Sequence, residues 1–169
     1  MPIKVILMMA QSVDGIIARH KEHFPDWTCP ADKKLFKQVT QKAGVLIMGS
    51  RTYAAIGKPL PGRLNIVYTR HPERFAQVDG ILLTSMEPPL LLEQLEAQGY
   101  KEVIVTGGAE INSLFAGLGL IDEFLITISP IVFGQGLSLF NGPVDLRLSL
   151  MSTTMLDQDT LNLHYRVEK

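Results

Sequence analysis

Short, nearly continuous apolar runs separated by helix signals constrain this chain more than any other feature. Residues 3–10, 45–48, 64–69 and 103–106 are rich in Val, Ile, Leu and Met at successive positions. A strand with one wet face alternates apolar and polar residues, whereas a run apolar at every position suits a strand covered on both faces, as in a parallel sheet. Helix signals fall between the runs. Pro30 is a good first helical residue for a helix over 31–41. Ser50 is placed to cap a helix through about Ile56. Residues 88–98 put Leu91, Leu92 and Leu95 on one face and stop at Gly99. A further helix is expected over 109–115. Strands are also expected over 80–84 and 123–129. A last pair, 147–156 and 160–167, is joined by a turn near Asp157-Gln158-Asp159. The pattern predicts an α/β fold with a mostly parallel central sheet, flanking helices and a C-terminal antiparallel hairpin at the edge.

The 169 residues fit a single domain over 1–169, and a chain of that length can bury a core without covalent staples. A net charge of −1 argues against a nucleic-acid or anionic-membrane surface, either of which needs a basic patch. One cysteine, Cys29, precludes an intramolecular disulfide, and no Cys/His spacing suggests a metal. The first apolar run is too short to span a bilayer, and no signal-cleavage pattern follows it, so a cytoplasmic protein is expected.

Three places carry candidate chemistry. Gly107-Gly108 stands between a buried strand and a helix start, where free N–H groups attract a phosphate; a tight strand-to-helix turn looks the same. Gly49-Ser50-Arg51-Thr52 repeats the construction with a cation and two hydroxyls. Thr69-Arg70 ends the next strand, so Arg51 and Arg70 are placed to clamp one phosphate, although a single arginine is usually just solvated. Asp32 shares a helix face with Leu35, Phe36 and Val39. A carboxyl at the end of an apolar stripe has a raised pKa and can hold a cationic or amide-like group. An acid in a first turn can also simply complement the helix dipole.

Together these segments resemble dihydrofolate reductase. Trp27-Thr28-Cys29-Pro30-Ala31-Asp32 is similar to the family's W-x-x-P-x-D. Residues 45–53 resemble V-I-M-G-R-x-T-[WFY], residues 56–67 resemble I-G-x-P-L-P-G-R-x-N-I-[IV], and residues 103–111 resemble V-I-G-G-A-x-[IV]. The resemblance implies NADPH-dependent reduction of dihydrofolate or a related dihydropterin. It implies that Asp32 hydrogen-bonds the pterin and promotes protonation at N5, with Thr127 supporting it through water. Phe36 and Leu60 would pack on the substrate, Arg63 would pair with the glutamate carboxylate, and Met8, Ala10, Trp27 and Thr106 would complete the substrate site. NADPH would be lined by Ala10, Ile17, Gly49, Ser50, Arg51, Thr52, Thr69, Arg70, Thr106, Gly107, Gly108, Ala109, Glu110 and Ile111.

Two other segments resemble a different branch. Ser12-Val13-Asp14-Gly15-Ile16-Ile17-Ala18 and the run 128–140, with Gly134-Gln135-Gly136, are similar to the RibD C-terminal reductase domain of riboflavin biosynthesis. This resemblance implies a stand-alone reductase of a phosphoribosylamino-uracil, in which Arg63 contacts something other than glutamate. Asn112 replaces the tyrosine that folate reductases place beside the nicotinamide, and is the one feature that would suit a chain without catalysis. The two resemblances leave monomer and homodimer both open.

Overall fold

The computed structural model describes residues 2–23 and 25–169. The chain runs through β1 (Lys4–Gln11), β2 (Ile16–Ala18), α1 (Pro30–Ala43), β3 (Val45–Gly49), α2 (Ser50–Ile56), β4 (Leu64–Tyr68) and β5 (Ile81–Thr84). It continues through α3 (Pro88–Ala97), β6 (Glu102–Val105), α4 (Ala109–Gly117), β7 (Glu123–Ile128), β8 (Leu137–Ser138), β9 (Leu148–Met155) and β10 (Leu161–Val167).

Eight strands form one sheet in the order β5-β4-β3-β6-β1-β7-β10-β9. The first six are parallel. β10 runs antiparallel to β7, and β9 closes the hairpin at the edge, as the sequence pattern led us to expect. The apolar runs occupy the middle of this sheet because both of its faces are covered. One face buries Leu7, Ile47, Ile66, Val105 and Ile126 beneath α3 and α4, with Phe115 of α4 fully enclosed. The other buries Ile6, Met8, Leu46, Met48 and Val67 beneath α1 and α2, where Leu35, Phe36 and Val39 pack inward.

Two local expectations need correction. Gly49, not Ser50, is the N-cap of α2, and Ser50 is its first helical residue with no capping bond from a side chain. The helical backbone begins one residue earlier than the cap signal suggested, and Gly49 is the last extended residue. The small sheet formed by β2 and β8 was not anticipated. Its strands have three and two residues, too few for a hydrophobic period, and they pair Ile16 with Ser138 and Ala18 with Leu137, far apart in the chain.

Parallel strands bring their carboxyl ends to one edge. Gln11, Gly49, Tyr68, Val105 and Ile128 therefore deliver the loops that follow them to a common cleft, where open α/β sheets place ligands.

Candidate active site

α1 begins at the mouth of this cleft. Cys29 is its N-cap, and the backbone N–H of Asp32 donates to Cys29 Sγ at 3.4 Å. The Asp32 side chain turns inward and is only 8% exposed. Burial raises its pKa above the ordinary 3.8; the Thr127 hydroxyl and the Lys33 charge oppose that rise without cancelling it. Asp32 also stands in the first turn of α1, where a carboxylate complements the helix dipole, a role that does not require its burial. Thr127 lies on β7 beside Ala10 of β1, on the face that α1 covers. Its Oγ1 accepts from Asn162 Nδ2 at 3.1 Å. Asn162 is buried and sits opposite Thr127 on β10. Sequence reasoning missed it, because only the β7–β10 register brings it there.

Two turns along α1, buried Thr40 donates to the Phe36 carbonyl at 2.7 Å and accepts from Arg63 Nη1 at 2.8 Å. Arg63 Nε donates to the Pro61 carbonyl at 2.9 Å. Arg63 is 8% exposed, and burial lowers its pKa. No carboxylate among the described residues pairs with it, so this guanidinium is held by neutral oxygens alone. Asn65 fixes the turn that delivers it: Oδ1 accepts from the Leu60 N–H at 2.9 Å, and Nδ2 donates to the carbonyls of Leu60 and Arg63, each at 2.9 Å. Half-buried Phe36 and Leu60 pack against the same apolar cluster. Thr40 is eight residues beyond Asp32, about 12 Å along the helix. The wall made by α1 thus has a carboxyl at one end, a guanidinium at the other and apolar groups between.

The glycine-rich strand ends converge beside this wall. The Gly49 N–H donates to the Gly107 carbonyl at 2.8 Å. A Cβ on Gly49 would lie 3.1 Å from Ile111, and one on Gly108 would lie 3.7 Å from Thr52 Oγ1. Gly107 has φ +88°, and a Cβ there would press on Met9 at 3.0 Å. The strand ends therefore come this close to Ile111 and Met9 only as glycines, where Gly49, Thr52, Gly107, Gly108 and Ile111 meet. α4 starts there without a side-chain cap, leaving N–H groups of its first turn free for a ligand. Ala109 is half-buried and Glu110 exposed. Ser50-Arg51 and Thr69-Arg70 leave adjacent strand ends, since Gly49 pairs with Tyr68. Arg51 and Arg70 are exposed and, among the described residues, carry no ion pair. Thr69 Oγ1 accepts from the His71 N–H at 3.0 Å. Met8 and Thr106 are buried, while Ala10 and Ile17 are half-buried.

A second group of loops closes the other side. Asp14 Oδ1 accepts from Ser12 Oγ at 2.5 Å and from the Phe133 N–H at 3.2 Å, and Oδ2 accepts from the Gly134 N–H at 2.7 Å. The bond from Ser12, then that from Gly134, hold this carboxyl below its usual range. The Phe133 ring stands edge-on to Trp27 at 5.3 Å and under the Arg19 guanidinium at 4.7 Å. Trp27 Nε1 is buried without a partner among the described residues. Beside it a cleft of about 370 Å³ is lined by residues 26–29, Pro130 and the 157–160 turn. Asn112 is fully buried and donates through Nδ2 to the Leu139 carbonyl at 2.9 Å. It therefore braces α4 against the segment before Phe140.

The sequence matches the RibD C-terminal domain family over residues 3–162. Dihydrofolate reductase type 3 of Salmonella typhimurium is 36% identical over 92 residues, 54% of this chain and 52% of that protein. Dihydrofolate reductase of Lactococcus lactis is 36% identical over 112 residues, 66% of this chain and 64% of that protein. The chain therefore spans about half to two thirds of the length of these relatives. Among solved structures, a putative riboflavin biosynthesis protein from Shewanella sp. PV-4 superposes with a TM-score of 0.77 at 22% identity, covering 99% of this chain and 100% of that one. Dihydrofolate reductase from Enterococcus faecalis, complexed with NADP(H), superposes with a TM-score of 0.74 at 23% identity, covering 98% of this chain and 97% of that one. With a matching family over nearly the whole chain and dihydrofolate reductases among its relatives, the chain belongs to the RibD C-terminal domain family, within the dihydrofolate reductase-like superfamily.

Proposed function

We propose that this protein is an NADPH-dependent reductase of a dihydropterin, with dihydrofolate as the leading substrate. One observation carries the reading: α1 carries buried Asp32 near its start and, through Thr40, holds buried, carboxylate-free Arg63 near its end, with Phe36 on the helix between them and Leu60 in the same apolar cluster. A flat ring bearing amide and amino groups suits the carboxyl. An anionic tail suits the guanidinium, which binds carboxylates with two parallel bonds. The apolar middle suits an aryl spacer; ribose hydroxyls placed there would be left without partners.

The glycine backbone at Gly49, Gly107 and Gly108 and the uncapped start of α4 fit a dinucleotide phosphate. Arg51 and Arg70, with Ser50 and Thr69, are assigned to the extra phosphate that distinguishes NADPH. NADPH supplies the hydride when bound. Asp32 orients the ring and, with its raised pKa, helps deliver a proton to the ring nitrogen next to the reduced carbon. Thr127 and Asn162 keep the carboxyl in place. Trp27 and Phe133 exclude water from that end. The protein's part is positioning and electrostatics.

A second reading is favoured by the tie between Asp14 and residues 133–134, which joins the two segments that resemble the riboflavin-pathway reductases. There the substrate is a phosphoribosylamino-uracil and Arg63 takes its phosphate. Loss of NADPH absorbance with dihydrofolate, compared with the aminopyrimidine, separates the readings. In the folate reading, Arg63→Ala raises KM for dihydrofolate by roughly 10–100-fold, the worth of charge-assisted bonds, and leaves KM unchanged for a pterin without the glutamate tail. Turnover of the aminopyrimidine alone would overturn the folate reading.

A further inference from the structure

We propose that His23 is a pH-sensitive latch: its neutral imidazole fastens the chain after β2 over the Trp27 end of the cleft, and protonation of the ring releases it. Two contacts fix where the ring proton sits. The Arg19 backbone N–H donates to His23 Nδ1 at 3.0 Å. A backbone amide can only donate, so Nδ1 must keep its lone pair. Nε2 lies 3.3 Å from Asp26 Oδ1, which accepts, so the single ring proton belongs on Nε2. An imidazolium carries a proton on both nitrogens. Its Nδ1–H would point at the Arg19 N–H, donor against donor, and the bond between residues 19 and 23 would be lost.

The ring is also part of the packing. The His23 side chain is only 10% exposed, and its ring stands edge-on to Phe133 at 6.1 Å. Phe133 in turn meets Trp27 and lies under the Arg19 guanidinium. His23, Phe133 and Trp27 thus form one aromatic cover, and the bond between residues 19 and 23 ties its near side to the end of β2. The charges around the ring divide. On its own segment, the Arg19 guanidinium and His20, whose ring is 5.5 Å away, oppose a second positive charge once His20 is protonated. Glu22 is turned to His20 at 3.5 Å. Asp26 favours a charged His23, but it is 72% exposed, so water screens the attraction. Asp26 can also hold the charged ring after the ring has left the cover. The facing segment 130–138 carries no charged residue, and the carboxylate bound to its amides is Asp14. Acid therefore breaks the Arg19 bond and strains the packing on Phe133 together, which admits water to the Trp27 end. The latch is read from the unliganded chain and does not depend on the substrate.

Amide hydrogen exchange on the unliganded full chain tests it, at about pH 8 and about pH 5, on either side of the ordinary histidine range. Rates are corrected for the intrinsic effect of pH on exchange. In the wild-type protein the protection of the Arg19 amide should fall about threefold or more at the lower pH. His23→Asn places a carbonyl oxygen near the position of Nδ1, where it accepts without titrating, so protection should persist at both pH values. His23→Leu offers no acceptor and should lose protection at both. Nitrogen chemical shifts of the wild-type ring at the higher pH should show Nε2 protonated and Nδ1 bare. Equal Arg19 protection at the two pH values in wild-type protein overturns the proposal, as does a ring protonated on Nδ1 at the higher pH. A His23→Asn variant that loses protection in acid as its parent does, or a His23→Leu variant that keeps it, overturns it too. If His23→Leu does not fold, the other three measurements decide. None of them reads turnover, so failure here is separate from failure of the proposed reaction.

Discussion

Asp32 draws its character from where α1 puts it. The same carboxyl in solvent would titrate at the ordinary 3.8, but burial disfavours its charged form and raises the pKa. A carboxyl whose folded-state pKa is raised contributes stability below the unfolded-state pKa, and that contribution is lost as pH rises through the folded-state value. The ionised acid is thus a load on the fold near neutrality. Asp32→Asn should raise the melting temperature at pH 7, with the gain vanishing at pH 3. The same variant should lower dihydropterin turnover about 100-fold or more, as loss of a proton-handling group does, while NADPH still binds. Melting curves at both pH values and steady-state kinetics check this, and an unchanged turnover would remove Asp32 from the chemistry. The helical spacing singled out Asp32 as an acid on an apolar face. It did not reveal Asn162, which reaches the site through Thr127 only after β10 has docked on β7.

Among the elements, the link between the 12–18 segment and the 130–138 segment rests on very little chain. β2 and β8 contribute five residues between them, and Gly136 approaches β2 so closely that a Cβ would sit 2.4 Å from the Ala18 carbonyl oxygen. Asp14 therefore holds much of this joint. Its carboxyl is held below the usual range by the bonds from Ser12 and Gly134. The stabilising tie is accordingly present above the ordinary carboxylate range and is lost as pH falls through the depressed value. Asp14→Asn keeps one acceptor but removes the charge and the second acceptor. Hydrogen exchange at the amides of Phe133 and Gly134 should speed up at least severalfold, with the global melting temperature nearly unchanged because the joint lies outside the main core. Equal exchange rates in variant and parent would show that the carboxylate does not hold the two segments together. Sequence reasoning noticed both segments as resemblances, yet their contact spans 120 residues and has no local signature.

Across the whole molecule, the sheet is held between two apolar layers, and Phe115 is the largest side chain fully enclosed in the layer under α4. Its ring stands edge-on to Tyr68 at 6.1 Å. Phe115→Ala should cost about 3–5 kcal/mol in urea unfolding, the usual range for deleting a buried aromatic ring. A loss below about 1 kcal/mol would mean that this layer is looser than its burial indicates. α4 also presents its first turn to the cleft proposed to hold NADPH, so on that proposal the same variant should weaken NADPH binding as well as stability.

Hydrophobic period and punctuation by Pro and Gly are local properties, and they were enough to mark the buried strands, α1, α3, α4, the parallel sheet and its edge hairpin. Strand-end glycines and helical spacing likewise brought Gly49, Gly107 and Asp32 forward as candidates, and the family resemblance added Arg63. The sequence alone did not determine the cap of α2, the β2–β8 pair, the Asp14 tie, the support from Asn162, or the neutral cage of Thr40 and Pro61 around Arg63. Each of these depends on groups far apart in the chain meeting at a fixed register. Only the packed sheet supplies that register, because the free energy that selects one partner for a polar group comes from burying it beside that partner and away from water.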